Sequence, residues 1–145
     1  MAEKTKRSRL PLAGGLALLA AAGIWAATRV YGCGEERIPG ATNEQRVAYI
    51  ESFGWVTGLT HSSLEEVRIP VEFDETYEEY NALQRRQGFD LRRYRAHTVK
   101  KYTYDLEGDG VPLCATLLVE NGEIIGADIT SPKAGGFQGA LAVDG

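Results

Sequence analysis

The stretch "HTVKKYTYDLEGDGVPLCATLLVENGEIIGADIT" (His97–Thr130) predicts a meander of three antiparallel β-strands. Strand residues alternate between the two faces of a sheet. The first run therefore places Tyr102 and Tyr104 on one face, and Lys101 and Thr103 on the other. "EGDG" (107–110) then turns the chain into a second apolar run.

The dipeptide Asn121–Gly122 lies between two apolar runs, a pattern typical of a two-residue β-hairpin turn. Both faces of this hairpin are apolar, so we expect it to be central in the sheet and covered on both sides. The turn predicts the following cross-strand pairs: Glu120 with Glu123, Val119 with Ile124, Leu118 with Ile125, and Ala115 with Asp128.

Two helices are expected upstream of the meander. "TNEQRVAYIESFG" (42–54) opens with capping-box spacing between Thr42 and Gln45. "FDETYEEYNALQRRQG" (73–88) begins at Asp74 or Thr76, carries acids in its first turns, and ends in a basic turn before a glycine. Short, Gly- or Pro-broken β-rich runs separate them. Together these elements predict an α+β domain, with two helices packed on an antiparallel sheet of three to five strands.

The amino-terminal segment predicts a membrane anchor. Residues 1–9 carry four basic residues and one acid, and the nineteen residues of 10–28 carry no charge. An apolar run of this length spans about one hydrocarbon core, and the basic end remains in the cytoplasm. A cleaved secretory signal and lipidation at Cys33 are the alternatives.

The expected organisation follows from these boundaries. It comprises a cytoplasmic tip (1–9), a transmembrane helix or uncleaved signal anchor (10–31), a linker (32–41), an extracytoplasmic α+β domain (42–141) and a tail (142–145). This predicts a single-pass protein of the cell membrane. From Cys33 onward there are 11 basic and 19 acidic residues, and such an acidic domain argues against nucleic-acid binding.

No motif in the chain indicates catalysis, a metal or a cofactor. The two histidines and two cysteines lack zinc-ligand spacing. "DLEGDG" (105–110) resembles the start of a calcium loop, but Glu107 and Thr116 stand at positions where ligands of another kind are expected. We therefore expect no catalytic residues, no metal ligands and no cofactor.

The basic stretch "YNALQRRQGFDLRRYRAHTVKKY" (80–102) supplies the candidate binding residues. The helix dipole accounts for its bases up to Arg86, but not for those that follow. These are Arg92, Arg93, Arg95, Lys100 and Lys101. They either pair with acids of the same domain or bind an anionic envelope component.

Asp128 is a further candidate, because it interrupts an apolar strand beside Gly126 and Ala127. A carboxylate in such a niche must find hydrogen-bond donors or become protonated. One interpretation is an ion pair with a neighbouring Arg or Lys. The other is a functional carboxylate.

Several segments together resemble a bacterial family labelled domain of unknown function, number 4830. They are "TNEQRVAYIESFGW", "VRIPVEF", "YNALQRRQGFDLRRYRAHTVKKYTY", "NGEIIGADITS" and "GGFQGAL". The resemblance covers about Thr42 to Leu141, with Ala96 and Ala127 standing where glycines are expected. It implies a membrane-anchored outer domain of Firmicutes-type bacteria, and it implies no activity and no site residues.

Three functions remain open from the sequence. The first is a non-catalytic binding module at the cell envelope, whose partner is an envelope protein or an anionic envelope component. The second is an envelope-acting hydrolase or transferase, which requires a cleft with converging titratable groups. The third is a structural or assembly subunit that works through its membrane helix.

Overall fold

The structure, a computed structural model, describes residues 36–108, 110–133 and 136–142. The helices and strands follow in chain order: β1 (Ile38–Pro39), α1 (Asn43–Glu51), β2 (Val56–Thr57), β3 (Ser63–Arg68), α2 (Glu75–Arg86), a 3₁₀ helix (Leu91–Tyr94), β4 (Thr98–Glu107), β5 (Leu113–Glu120), β6 (Glu123–Thr130) and β7 (Gln138–Gly139).

All seven described strands belong to one antiparallel sheet. β4, β5 and β6 form the predicted meander. β2 and β3 pair with the outer edge of β4, while β1 and β7 pair with the outer edge of β6. The α+β class is confirmed, but the sheet has more than the three to five strands expected. The two-residue strands β1 and β7 are too short to give a sequence pattern of their own.

The β5–β6 hairpin turns at Asn121 and Gly122, whose φ angles of 48° and 76° are the positive values that a type I′ turn requires. The pairs nearest the turn are as predicted. Beyond them the register shifts between Leu118 and Val119, so Leu118 lies opposite Gly126.

The bulge corrects two predicted pairs. Leu118 does not pair with Ile125, and Ala115 lies opposite Ile129 instead of Asp128. Thr116 is the residue opposite Asp128. A β-bulge sets two residues of one strand against one of the other, which moves every later pair by one position.

α1 packs on the sheet face that carries Tyr102, Tyr104 and Leu117, called the α1 face below. Its amino terminus has the predicted capping box between Thr42 and Gln45. Its buried residues include an arginine as well as apolar side chains, and they are Arg46, Tyr49 and Ile50. Arg46 is the polar member of this buried face.

α2 covers the opposite, α2 face, where Val99, Leu118 and Ile125 form a second apolar cluster. The cap is Asp74, whose side chain accepts a hydrogen bond from the backbone N–H of Tyr77 at 2.8 Å. Toward the end of α2, the Gln84 and Gln87 side chains bond the backbone N–H and carbonyl of Ala127. These side chains therefore satisfy backbone groups of β6 in the stretch between its two short partner strands, β1 and β7.

The two ends of the domain are held at this same edge of the sheet. β1 forms inside the expected linker, and Leu141, the last residue of the expected domain, is fully buried. The Trp55 indole donates to the Leu141 carbonyl at 2.8 Å. The predicted cytoplasmic tip, transmembrane helix and Cys33 lie outside the described residues. Among the described helices, none has both the length and the apolar content to span a membrane.

Candidate functional site

Asp128 lies on β6 with its side chain on the α2 face, and only 3% of the residue is exposed. The Tyr80 hydroxyl of α2 donates to Asp128 Oδ2 at 2.7 Å. Thr116, directly opposite on β5, and Gln138 of β7 also hydrogen-bond the carboxylate. The niche therefore supplies donors from two neighbouring strands and a helix, as a buried carboxylate requires.

Burial raises the pKa of Asp128, and the surrounding donors and the Lys101 ammonium act in the opposite direction. Burial and the adjacent carboxylate raise the pKa of Tyr80 well above its ordinary value, so the phenol keeps its proton and remains the donor. No described ion pair includes Asp128. Lys101 lies instead 3.7 Å from Glu65, so hydrogen bonds replace the ion pair that was one interpretation of the sequence.

The candidate basic residues are distributed over different surfaces. Arg92 forms an ion pair with Glu78 of α2 at 2.5 Å, and Lys101 pairs with Glu65 of β3. Arg93 is exposed on the 3₁₀ helix. Arg92 and Lys101 thus bind acids of their own domain.

Arg95 and Lys100 complete the set. The Arg95 guanidinium lies 5.2 Å from the centre of the Phe73 ring. Lys100 is exposed on β4, and it points to the α1 face while Lys101 points to the α2 face. The structure therefore does not bring the five bases together into one anion-binding strip.

A buried arginine on the α1 face was not expected from the sequence. Arg46 is 5% exposed, and its guanidinium lies 3.7 Å above the Tyr102 ring. Its Nε donates to the Tyr104 hydroxyl at 2.9 Å, and its Nη1 donates to the carbonyls of Gly40 and Ala41. These contacts join α1 to the sheet and to the segment that follows β1.

The Tyr104 hydroxyl extends this hydrogen-bond network to the start of α1, because it donates to Asn43 Oδ1 at 2.9 Å. His61 packs edge-to-face on Tyr102, with ring centres 5.2 Å apart, and its buried Nδ1 has no hydrogen-bond partner. Only the position of Arg46 in an otherwise apolar turn of α1 hinted at this cluster. An arginine in a helix is normally on the solvent side.

A groove of about 420 Å³ opens on the α1 face, at the hairpin end of the sheet. β4 supplies Lys100 and Tyr102, β3 supplies Glu66, and the β5–β6 hairpin supplies Glu120 and Asn121. Glu120 also contacts His97 Nδ1 at 2.5 Å. The groove is thus lined by a lysine, two glutamates, a tyrosine and an asparagine, and its volume is within the size range of ligand sites.

Metal sites and nucleophiles depend on typical arrangements of side chains. The described part of the chain contains no group of three or more His, Cys, Asp or Glu side chains that converge on a cation site. The Ser52 and Ser62 hydroxyls donate to backbone carbonyls. Burial raises the pKa of the Cys114 thiol, as does nearby Asp105, which disfavours the nucleophilic thiolate.

A family model described as "Domain of unknown function (DUF4830)" matches residues 49–129. The match runs from α1 to the end of β6 and includes Asp128 and most of the groove. No curated protein and no solved structure matches the chain.

Proposed function

Because the chain belongs to the DUF4830 family, whose description gives no activity, we propose a function from geometry: it is a membrane-tethered, non-catalytic binding module of the cell envelope. The tether is the uncharged run of residues 10–28 with the basic residues before it, a sequence feature outside the described residues. In this topology the module of β1–β7 and its two helices faces the extracytoplasmic side.

The groove on the α1 face is the observation that carries this proposal. It is built by residues of β3, β4 and the β5–β6 hairpin, so its walls belong to strands that are hydrogen-bonded to one another in the sheet. A rigid cavity loses little conformational freedom when a ligand enters it, which favours binding. Its polar lining provides donors and acceptors to orient that ligand.

The charges of the groove favour a protein segment over a polyanion as its ligand. The lining residues include Glu66 and Glu120 against Lys100 alone, so the lining has more acid than base. From Cys33 onward, the protein has 19 acidic against 11 basic residues. A polyanion would be repelled at long range, whereas a segment that carries both a basic and an acidic side chain meets complementary charges.

The titratable groups near the sheet support a binding role over a catalytic one. Asp128 is surrounded by its own donors, and Arg46 is bound to backbone carbonyls and a phenol. A catalytic acid or base must reach a substrate atom within hydrogen-bond distance. Both groups instead reach other parts of the same domain.

Site-specific photo-crosslinking in native membranes tests this function. A photoreactive residue at Thr98, in the groove, should capture a discrete envelope protein, and Lys100→Glu should reduce the yield. The same residue at Glu51, exposed on α1 and outside the groove, is the matched control.

Equal adducts from Thr98 and Glu51, or none from Thr98, would refute a binding groove. Hydrolysis of isolated envelope material by the purified full chain, with the activity lost in Asp128→Asn, would instead establish an enzyme. The two assays are independent, so each result has one interpretation.

A further inference from the structure

β3 is an edge strand whose outer side has no strand partner among the described residues. It pairs only with β4, and Leu64, Glu65, Glu66 and Arg68 are exposed. The backbone groups of Ile69 point toward β4, because its N–H donates to the His97 carbonyl and its carbonyl accepts from Ala96. Since successive residues of a strand point to opposite sides, the N–H and C=O groups of Leu64, Glu66 and Arg68 point outward.

Two side chains on this edge carry opposite charges without an ion pair. Glu66 and Arg68 stand two residues apart, both on the α1 face. On β4, Glu66 lies opposite Lys100 and Arg68 lies opposite Thr98. No described ion pair includes either of them, so both charges remain available to an external partner.

We propose that two copies of this chain pair through β3, antiparallel, about a two-fold axis at Val67. In this register Glu66 of each copy lies opposite Arg68 of the other, and both pairs exchange their outward N–H···O bonds. The two Val67 residues face each other as a non-hydrogen-bonded pair on the α2 face. The two sheets become one continuous sheet.

The charges of β3 select this register. A two-fold axis at Glu65, Glu66 or Arg68 places like charges directly opposite, which destabilises strand pairing. An axis at Ser63 or Leu64 pairs no opposite charges. Among the two-fold registers centred on a β3 residue, only the one at Val67 forms two ion pairs. Charged edge residues block other strands, so the same residues oppose indiscriminate association.

This pairing does not depend on the proposed function of the groove, although it would affect the groove. Glu66 is a lining residue of the groove, and Arg68 of the second copy would lie next to it at the rim. The second copy would thus add a guanidinium to a cavity whose own lining includes two glutamates and one lysine.

Disulfide trapping of the full chain in membranes tests the register. The variant is Val67→Cys in a background with Cys33→Ser and Cys114→Ser, treated with an oxidant. Non-hydrogen-bonded partners have Cβ atoms about 4.5–5.5 Å apart, close to the spacing of a disulfide. Most of the protein should therefore migrate as a disulfide-linked dimer.

Leu64→Cys in the same background is the matched control, since Leu64 is on the same edge and 48% exposed. In the proposed register it lies opposite Pro70 of the second copy, and it should cross-link at least about tenfold less. Equal cross-linking at the two positions, or none at Val67, would overturn the proposal.

A charge swap tests the pairing without relying on Val67, whose side chain is half-buried. Glu66→Arg alone, or Arg68→Glu alone, replaces both ion pairs between the two copies by pairs of like charge. Each single variant should therefore weaken dimerisation about tenfold. The double variant Glu66→Arg/Arg68→Glu restores both ion pairs and should return the dimer to within about twofold of wild type.

Sedimentation of the full chain in mild detergent measures all three variants, and their melting temperatures report whether each is folded. A double variant as weak as the single variants would refute the register. A folded wild-type chain that is monomeric at every concentration would refute the dimer. Cross-linking of β3 to a different envelope protein, in place of a second copy, would refute it as well.

Discussion

The two faces of the sheet each bury one acidic or basic side chain, Arg46 on one face and Asp128 on the other, and neither forms an ion pair among the described residues. On the α1 face Arg46 is held by carbonyls, a phenol and an aromatic ring. On the α2 face Asp128 is held by a phenol and neighbouring polar side chains. In both cases a tyrosine hydroxyl joins the helix to the sheet, but the tyrosine is on the sheet at Arg46 and on the helix at Asp128.

The difference between the faces is chemical. An arginine remains charged at every accessible pH, so the α1 face needs permanent acceptors, and backbone carbonyls supply them. A carboxyl group can become neutral, so the α2 face can relieve the cost of burial by taking up a proton. Only the α2 face should therefore respond to pH through its buried group.

Truncation of the buried arginine should have the largest effect. Arg46→Ala removes the side chain that links α1, the sheet and the Gly40–Ala41 carbonyls, and it leaves a cavity beside Tyr102. We expect a loss of about 3 kcal/mol in the free energy of unfolding, measured in urea. Arg46→Lys keeps the charge but cannot bond Tyr104 and the carbonyls together, so it should lose about half as much.

If Arg46→Ala were as stable as wild type, the guanidinium would contribute nothing net on the α1 face. The contrast between the two faces would then lose its energetic basis. A buried charge sometimes contributes little for this reason, because its desolvation offsets its bonds.

Loss of the donor to Asp128 should have the next largest effect. Tyr80→Phe keeps the ring but removes the hydroxyl, which leaves Asp128 buried with fewer donors, at a cost of about 1–3 kcal/mol. Tyr77→Phe, one turn earlier on α2, is the matched control and should change stability by less than about 0.5 kcal/mol. Equal losses in the two variants would show that the Tyr80–Asp128 bond is not the cause.

The pH dependence tests the α2 face directly. Because the folded-state pKa of Asp128 is raised, its stabilising contribution is fully present below the pKa of the unfolded chain and is lost as the pH rises through the folded pKa. The effect should be smaller than that of Tyr80→Phe, since the donors and Lys101 offset part of the burial. Unfolding free energies of wild type and Asp128→Asn, compared from pH 3.5 to 7 (about the titration range of a raised aspartate), measure it.

Wild type should lose stability relative to Asp128→Asn as the pH rises across this range. A difference that stays constant would mean that Asp128 has the same pKa in the folded and unfolded states. A difference of the opposite sign would mean that its donors outweigh burial. The difference in unfolding free energy between wild type and Arg46→Lys should not change with pH over the same range. A pH trend for Asp128 and none for Arg46 would confirm the contrast between the two faces.

Local patterns in the sequence predicted much of this fold. The capping box at Thr42, the basic end of α2 and the Asn121–Gly122 turn each depend on residues within a few positions of one another. The alternation of β4 likewise gave the correct faces for Tyr102 and Lys101. Such features are set by short-range geometry, which a single sequence contains.

The candidate site depends on long-range contacts, and these were not predictable. Arg46 meets Tyr104, 58 positions away, and Tyr80 meets Asp128, 48 positions away. The bulge at Leu118/Val119 decides which residue lies opposite Asp128. No periodicity encodes these pairings, because they follow from how separate elements pack.

The exposed bases of the α2 side give the smallest expected effect. Arg92→Gln breaks the ion pair with Glu78, in which both side chains are more than a third exposed. We expect a loss of about 0.2–1 kcal/mol, which should shrink at 1 M salt, where the screening length is about 3 Å. A double-mutant cycle with Glu78→Gln isolates the pair from other effects of each change. A coupling energy as large as the stability lost in Arg46→Ala would contradict this expectation. It would show that an exposed ion pair stabilises the fold as much as the buried contacts of Arg46, so solvent exposure would not weaken the charges.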